Sequence, residues 1–280
     1  MERRITASQI ADFGRCLFQE ERSAGTIDKY LRDVGQFAAW LADAEVTKET
    51  AAAWKEHLLV QGCGPSTVNG KIAALNAFFR FAGWEHCAVR ALKLQRRLFR
   101  DSDRELTREE YSRLTAAAQG MGRERLALLI ETICATGVRV SEVRFITVEA
   151  VRAGKAEISL KGKIRTILLP GRLCRKLEKY ARKNKIASGE IFLTRSGKPL
   201  SRKQIWAEMK GLCKAAAVEP SKVFPHNLRH LFARCFYRAC RDVAKLADVL
   251  GHSSMETTRL YLISTGAEHA RTLERLRLVS

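Results

Sequence analysis

Apolar residues recur every three or four positions along the first 90 residues, the spacing that places them on one face of an α-helix. The clearest stripe follows Thr26 and comprises Ile27, Tyr30, Leu31, Val34, Phe37, Ala38 and Leu41. A second stripe follows Ser66, and two further helices are expected at about 7–22 and 48–60. The pattern predicts a four-helix bundle in which the helices are capped in turn by Thr6, Thr26, Thr47 and Ser66.

The pattern changes after residue 104. Thr107 and Glu110 form a capping box at the start of a helix, and an apolar helix over 123–135 stops at Gly137. Between residues 145 and 170 apolar and polar positions alternate loosely, which predicts strands. Within them, Leu160-Lys161-Gly162-Lys163-Ile164-Arg165 is typical of a tight hairpin.

Helices are predicted again over 173–183, over 202–216 with Ser201 as the cap, and near 267–277. The last of these carries a narrow apolar stripe of Ala270, Leu273 and Leu276. The predicted fold class is therefore mainly α with a small β-hairpin.

The formal net charge is +20. Residues 101–280 carry most of the excess, with 35 Lys and Arg against 19 Asp and Glu. This balance favours a polyanionic partner, most simply double-stranded DNA, with an anionic membrane surface as the other option. No run of eighteen apolar residues exists, so no membrane span is expected.

The eight cysteines form no C-x-x-C pair, and no Cys/His spacing indicates zinc. Most lie in apolar contexts, which favours reduced core thiols in a cytoplasmic protein. There is no clustered set of carboxylates for a metal-dependent nuclease and no P-loop. We therefore expect no metal and no cofactor.

One stretch near the C-terminus carries most of the candidate chemistry. Pro225 fits the first turn of a helix, and His226 and Arg229 then share a face. Gly251 ends a later helical run, His252 follows it, and Tyr261 lies nine residues on. Singly, each is explained as a solvated or core side chain. Together, two imidazoles, a guanidinium and a phenol could converge on one anion.

The spacing of this stretch resembles the signature of the tyrosine recombinases, which include the Xer proteins and the phage integrases. The match is His226-x-x-Arg229-His230-x-Phe232-Ala233, then Leu250-Gly251-His252, then Thr257-Thr258-x-x-Tyr261. Upstream, Ala135-Thr136-Gly137-x-Arg139-x-Ser141-Glu142 resembles the first arginine box of the family. The family carries a lysine on a hairpin, and here Lys161 fits best, with Lys163 on the same strand face as the alternative.

The front half resembles the core-binding domain of the same recombinases. The match is Gly25-Thr26-x-x-x-Tyr30-x-x-Asp33-x-x-x-Phe37-x-x-Trp40-Leu41, and Ser66-Thr67 followed by Ala74-Leu75-x-x-Phe78-Phe79. The resemblance implies a helical, SAM-like core-binding domain at 1–90, a basic linker at 91–104, and a mixed α/β catalytic domain with a tail helix at 105–280. The residues expected to contact DNA are Thr26, Lys29, Ser66, Lys71, Arg80, Arg96 and Arg97.

The resemblance also implies a reaction. Tyr261 would attack a DNA phosphorus and form a 3′-phosphotyrosine that a second strand reverses, without metal or nucleotide triphosphate. Arg139 and Arg229 would clamp the phosphate, and Lys161 would protonate the leaving oxygen. His226 is the expected base, and His252 the expected donor to a phosphate oxygen. The expected assembly is a homotetramer, or a pair with a second recombinase, on two DNA sites. The alternative is a DNA-binding protein on the same scaffold that no longer cuts.

Overall fold

The computed structural model describes residues 3–42, 44–94, 102–160, 163–252, 254–259, 261 and 274–276. The chain divides into two compact units, Met1–Arg96 and Arg97–Ser280. Over the described residues the fold is mainly α with one small antiparallel sheet, as the sequence predicts. None of the helices in these ranges is long and apolar enough to cross a membrane.

The first unit is a bundle of four helices. They are α1 (Ala7–Gln19), α2 (Ala24–Leu41), α3 (Lys48–Val60) and α4 (Pro65–Phe81), followed by a 3₁₀ turn at Glu85–Cys87. The bundle is held by an aromatic core in which Phe37, Phe78 and Phe79 are fully buried. Because the rings of Phe37 and Phe79 meet edge to face, with centroids 6.3 Å apart, α2 and α4 form the centre of the unit.

Two of the four predicted helix caps in this unit are confirmed and two are wrong. Thr6 and Thr47 both cap their helices through capping boxes. Thr26 instead lies in the first turn of α2, its hydroxyl 2.9 Å from that of the N-cap Ser23. Ser66 also lies inside its helix, because Pro65 takes the first helical position, where a missing N–H costs nothing.

In the second unit, several helices pack against the apolar helix α6 (Glu124–Thr136). The other elements that its described residues form include α5 (Arg108–Gly120), α7 (Val148–Ala153), β1 (Lys155–Leu160), β2 (Lys163–Leu168), α8 (Gly171–Lys183), α9 (Arg202–Lys210), α10 (Cys213–Ala216), α11 (Pro225–Cys240), α12 (Val243–Leu250), α13 (Met255–Arg259) and a 3₁₀ helix at Val140–Phe145. The predicted caps at Thr107 and Ser201 are both confirmed.

The prediction of strands throughout 145–170 is wrong in its first third. The Thr147 hydroxyl accepts the Ala150 amide and caps the short helix α7, which Gly154 ends in the left-handed conformation. Strand β1 begins only at residue 155 and pairs antiparallel with β2, from Lys155 opposite Leu168 to Leu160 opposite Lys163. Lys161 and Gly162, between the two strands, lie outside the described residues.

The helix predicted over 202–216 is interrupted. α9 ends at Lys210, and the Leu212 amide bonds to the carbonyl of Met209, three residues back. Gly211 stands at the break, where its low helix propensity permits the tighter turn. Most of the predicted tail helix, with Ala270 and Leu273, lies outside the described residues, although Glu274 to Leu276 is helical.

Candidate active site

The predicted nucleophile is buried among imidazole rings. Tyr261 is only 4% exposed, and its hydroxyl lies 3.5 Å from Nε2 of His226. Its ring packs against His230, with centroids 4.3 Å apart, and against His252, at 5.4 Å. His230 was not predicted as a site residue, although its position four residues after His226 on one helix could have indicated it.

Arg229 is the most deeply buried charged residue of the site, at 1% exposure. It lies in the second turn of α11, which begins at Pro225 as predicted. Its guanidinium donates to the Gly137 carbonyl, to the Leu250 carbonyl at 2.8 Å, and to Nε2 of His252 at 2.9 Å. Burial, and then the nearby Arg139, lower the pKa of Arg229 to about 10, so it remains charged at neutral pH.

Arg139 is the more accessible of the two predicted clamp residues, with 39% of its side chain exposed. It follows the glycine that ends α6 and has extended backbone. Its Nη1 donates to Glu142 at 2.9 Å, its amide donates to the other oxygen of Glu142 at 2.8 Å, and its Nη2 donates to the Gly251 carbonyl at 3.3 Å. One buried carboxylate therefore fixes both the backbone and the side chain of this arginine.

His252 is held at both ring nitrogens. Nδ1 lies 2.8 Å from the hydroxyl of Thr258, which is fully buried, and Nε2 faces Arg229. An arginine can only donate, so Nε2 accepts and Nδ1 carries the proton that goes to Thr258. Burial and the neighbouring arginines lower the pKa of His252 to about 4, so the ring is neutral at pH 7.

His226 has an environment suited to a base. Burial, followed by the charges of Arg229 and Arg139, lowers its pKa below the ordinary value. A neutral imidazole next to a phenol hydroxyl can accept the proton of that phenol.

Glu142 and Arg165 belong to the same network, although neither was predicted as a site residue. Arg165, on β2, donates from Nη2 to Glu142 at 2.5 Å. Glu142 is the last residue of the first arginine box, and its spacing of three from Arg139 was the available signal. Arg165 gave no signal, because its partners lie 23 and 85 residues away in the sequence.

The structure therefore brings together Arg139, His226, Arg229, His252 and Tyr261. Lys161, the predicted general acid, lies outside the described residues, and its alternative Lys163 begins β2 next to the turn. Among the described residues, no group of three or more His, Cys, Asp or Glu side chains is arranged to hold a metal ion.

The seven predicted DNA contacts fall into three groups, of which two lie in the described part of the first unit. Lys29 donates to Asp33 at 2.5 Å and to the Gly70 carbonyl, and Lys71 lies 3.8 Å from the same carboxylate. These two lysines thus link α2 and α4 around the buried Asp33. Thr26 is partly buried, whereas Ser66 and Arg80 are exposed. Arg96 and Arg97 lie outside the described residues, and DNA contact by any of the seven stays a prediction.

Comparison with known proteins assigns the class. The model of the phage integrase family matches residues 104–268, more than half of the chain, and the model of the phage integrase N-terminal SAM-like domain matches residues 10–86. The tyrosine recombinase XerC of Roseiflexus castenholzii is 31% identical over 278 residues, which cover 90% of this chain and 88% of that protein. The tyrosine recombinase XerA of Pyrococcus furiosus is 27% identical over 99% of this chain and 97% of its own length.

Among solved structures, a lambda integrase tetramer bound to a Holliday junction has the same fold, with a TM-score of 0.73 at 20% identity. The alignment covers 91% of this chain and 76% of that one. The protein is thus a site-specific DNA recombinase, an enzyme that cleaves and rejoins DNA strands. The chain belongs to the phage integrase family.

Proposed function

We propose that Tyr261 is the nucleophile of this recombinase and forms a 3′-phosphotyrosine with one DNA strand. The observation that carries the proposal is the position of its hydroxyl, 3.5 Å from a His226 whose lowered pKa keeps it neutral. His226 accepts the phenol proton as the oxygen attacks phosphorus. The covalent link conserves the energy of the phosphodiester, so rejoining needs no nucleotide triphosphate.

The arginines stabilise the charge that develops on the phosphate. Arg139 and Arg229 present planar donor forks, which suit the two non-bridging oxygens. Donors that are fixed before the reaction need little reorganisation in the transition state. Electrostatic stabilisation by such donors is usually the largest contribution to catalysis. His252 accepts from Arg229 at Nε2 and so fixes one of these donors, and a lysine of the hairpin, Lys161 or Lys163, protonates the departing 5′ oxygen.

The substrate is double-stranded DNA, and the basic excess of the chain supplies the affinity. The active assembly holds four copies of this chain on two DNA sites. Support for that number comes from the fold shared with lambda integrase, which was crystallised as a tetramer on a Holliday junction. A closed ring of four identical subunits follows from one repeated head-to-tail contact.

The nucleophile is tested with a suicide substrate. A binding site is first selected with the wild-type protein from a pool of random duplexes, and a nick is placed beside the cleavage position. We expect the wild type to give a protein–DNA band on a denaturing gel, with EDTA present. Tyr261→Phe should bind the duplex equally and give no such band. A covalent band formed by the Phe variant would refute the assignment.

A further inference from the structure

Arg165 lies outside the two sequence motifs that contain Arg139 and Arg229, yet it connects three parts of the candidate site. Its side chain is 16% exposed. Nη2 donates to Glu142 at 2.5 Å, and Nη1 donates to the carbonyls of Leu250 and Val249 at the end of α12. Arg165 therefore connects β2, which follows the lysine turn, to the first arginine box and to the turn that carries His252.

The carboxylate of Glu142 is the shared acceptor in this connection. Glu142 is 3% exposed. Its Oε1 accepts from the guanidinium of Arg139, and its Oε2 accepts from both the Arg139 amide and the guanidinium of Arg165. Burial alone raises the pKa of Glu142, but the Arg139 amide and the Arg165 guanidinium together lower it below its ordinary value. Glu142 is therefore an anion held between two guanidiniums, and the direction of Arg139 depends on it.

The second contact of Arg165 is the helix end before His252. Leu250 offers its carbonyl to both Arg165 and Arg229. Gly251, next in the chain, has φ of +62°, and a Cβ added there would lie 2.4 Å from Cδ of Arg165. The arginine stem thus packs directly on the backbone of the histidine turn.

We propose that Arg165 is a positioning residue for strand cleavage, which orients Arg139 through Glu142 and His252 through the last turn of α12. The inference rests on the proposed function of Tyr261. The role assigned to Arg165 lies in its contacts with protein oxygens, the Glu142 carboxylate at one terminal nitrogen and two carbonyls of α12 at the other. A direct DNA contact by Arg165 is the alternative that the affinity measurement below tests. A planar fork serves acceptors in two directions at once, which a lysine ammonium on its flexible stem cannot reproduce.

Arg125 provides a matched control in the same unit. It also pairs with a carboxylate, Glu208 at 2.6 Å, and also donates to a backbone carbonyl, that of Leu193. Its side chain is 24% exposed, close to that of Arg165, and its hydrogen bonds to the described residues involve none of the candidate site residues. Arg125→Ala therefore measures the effect of losing a largely buried arginine pair without disturbing the site.

The test compares full-length Arg165→Ala, Arg165→Lys and Arg125→Ala on the selected nicked duplex, under single-turnover conditions with protein in excess. For Arg165→Ala we expect DNA affinity within about threefold of wild type and cleavage about 10²-fold slower, the usual loss when reacting groups are misplaced by about 1 Å. Arg165→Lys should recover only part of the rate. Arg125→Ala should lower the melting temperature while the folded protein cleaves at the wild-type rate.

A double-mutant cycle with Glu142→Gln separates positioning from general stability. If Arg165 acts through Glu142, then replacing it in the Gln background should slow cleavage much less than in the wild type. Independent effects, in which the fold losses of the two substitutions multiply in the double variant, would overturn the proposal. So would wild-type cleavage by folded Arg165→Ala, or a tenfold loss of DNA affinity, which would make it a DNA contact.

Two features keep the test decisive. If Arg165→Ala does not fold, Arg165→Lys takes its place in the cycle. If the wild type itself forms no covalent complex, the nucleophile assignment fails, whereas a wild type that cleaves beside an equally active Arg165 variant refutes only the positioning role.

Discussion

Thr258 controls the hydrogen bonding of His252, and its hydroxyl can be removed with little change of shape. The side chain is fully buried in α13, with its oxygen 2.8 Å from Nδ1 of His252. The ring is neutral, and Arg229 donates to its other nitrogen. Thr258→Val keeps the branched side chain and leaves the Nδ1–H without an acceptor.

The size of the effect follows from the cost of an unpaired buried donor, about 1–3 kcal/mol. At 1.36 kcal/mol per tenfold change in rate, this corresponds to a loss of about 5- to 150-fold if the whole cost appears in the transition state. The ring also becomes free to rotate away from Arg229. We therefore expect cleavage by Thr258→Val to be at least about fivefold slower, with DNA affinity unchanged.

The assay is single-turnover cleavage of the selected nicked duplex. Thr258→Ser retains the hydroxyl and should keep most of the rate. Thr257 provides the control, because it precedes Thr258 in the same helix and is exposed, so Thr257→Val makes the same chemical change away from the ring. Equal rates for Thr257→Val and Thr258→Val would refute the reasoning.

Three other predictions can be checked on the same material. If Lys161 is the general acid, Lys161→Ala should cleave slowly on normal DNA and recover on a 5′-bridging phosphorothiolate, whose leaving group needs no proton; rescue of Lys163→Ala instead would reverse the choice. A protein of charge +20 that contacts about ten phosphates should give a slope of log K against log salt of roughly −9, and a slope near −2 would exclude the basic surface as the DNA footprint. Because the pKa of His226 is lowered, the base stays neutral as the pH falls through 6.5, so the acid limb of the cleavage rate should lie below that value; a limb above 6.5 would contradict a His226 base.

The positions of His226, Arg229 and His252 relative to their helices were predictable from the sequence, because local helix geometry sets them. Pro225 starts α11, so that the imidazole of His226 and the guanidinium of Arg229 share one end of the helix. Gly251 ends α12, so His252 lies just after the end of that helix. These positions depend on local backbone rules, which a linear pattern retains.

The partners of those groups were not predictable, because they come from distant segments. Arg165 donates to Glu142 and to the Leu250 carbonyl, which lie 23 and 85 residues away in the sequence. No local sequence pattern indicates such a pair. The charge of Lys71 indicated a DNA contact, yet the structure also places it near Asp33 on another helix. A side chain that serves the fold and one that serves a ligand have the same sequence signature.

The error over 148–153 has a similar cause. Val148 and Val151 are three apart, and both are buried, but β-branched residues at loosely alternating positions also suit a strand. The deciding features were the Thr147 cap and the left-handed Gly154, which bound a helix of only six residues. End signals therefore carry more information than periodicity when an element is this short.

The two helix ends in the site explain how so much positive charge is held together. α6 ends at Gly137 and α12 at Gly251, both left-handed, and the carbonyls there accept from Arg229, Arg139 and Arg165. Helix C-termini carry partial negative charge, so they stabilise three guanidiniums, two of which share the Glu142 carboxylate. In the proposed function, a DNA phosphate carries a full charge and would compete with these carbonyls for the same donors. The backbone thus holds the three guanidiniums close together before any anion binds, and phosphate binding would exchange partial charges for a whole one.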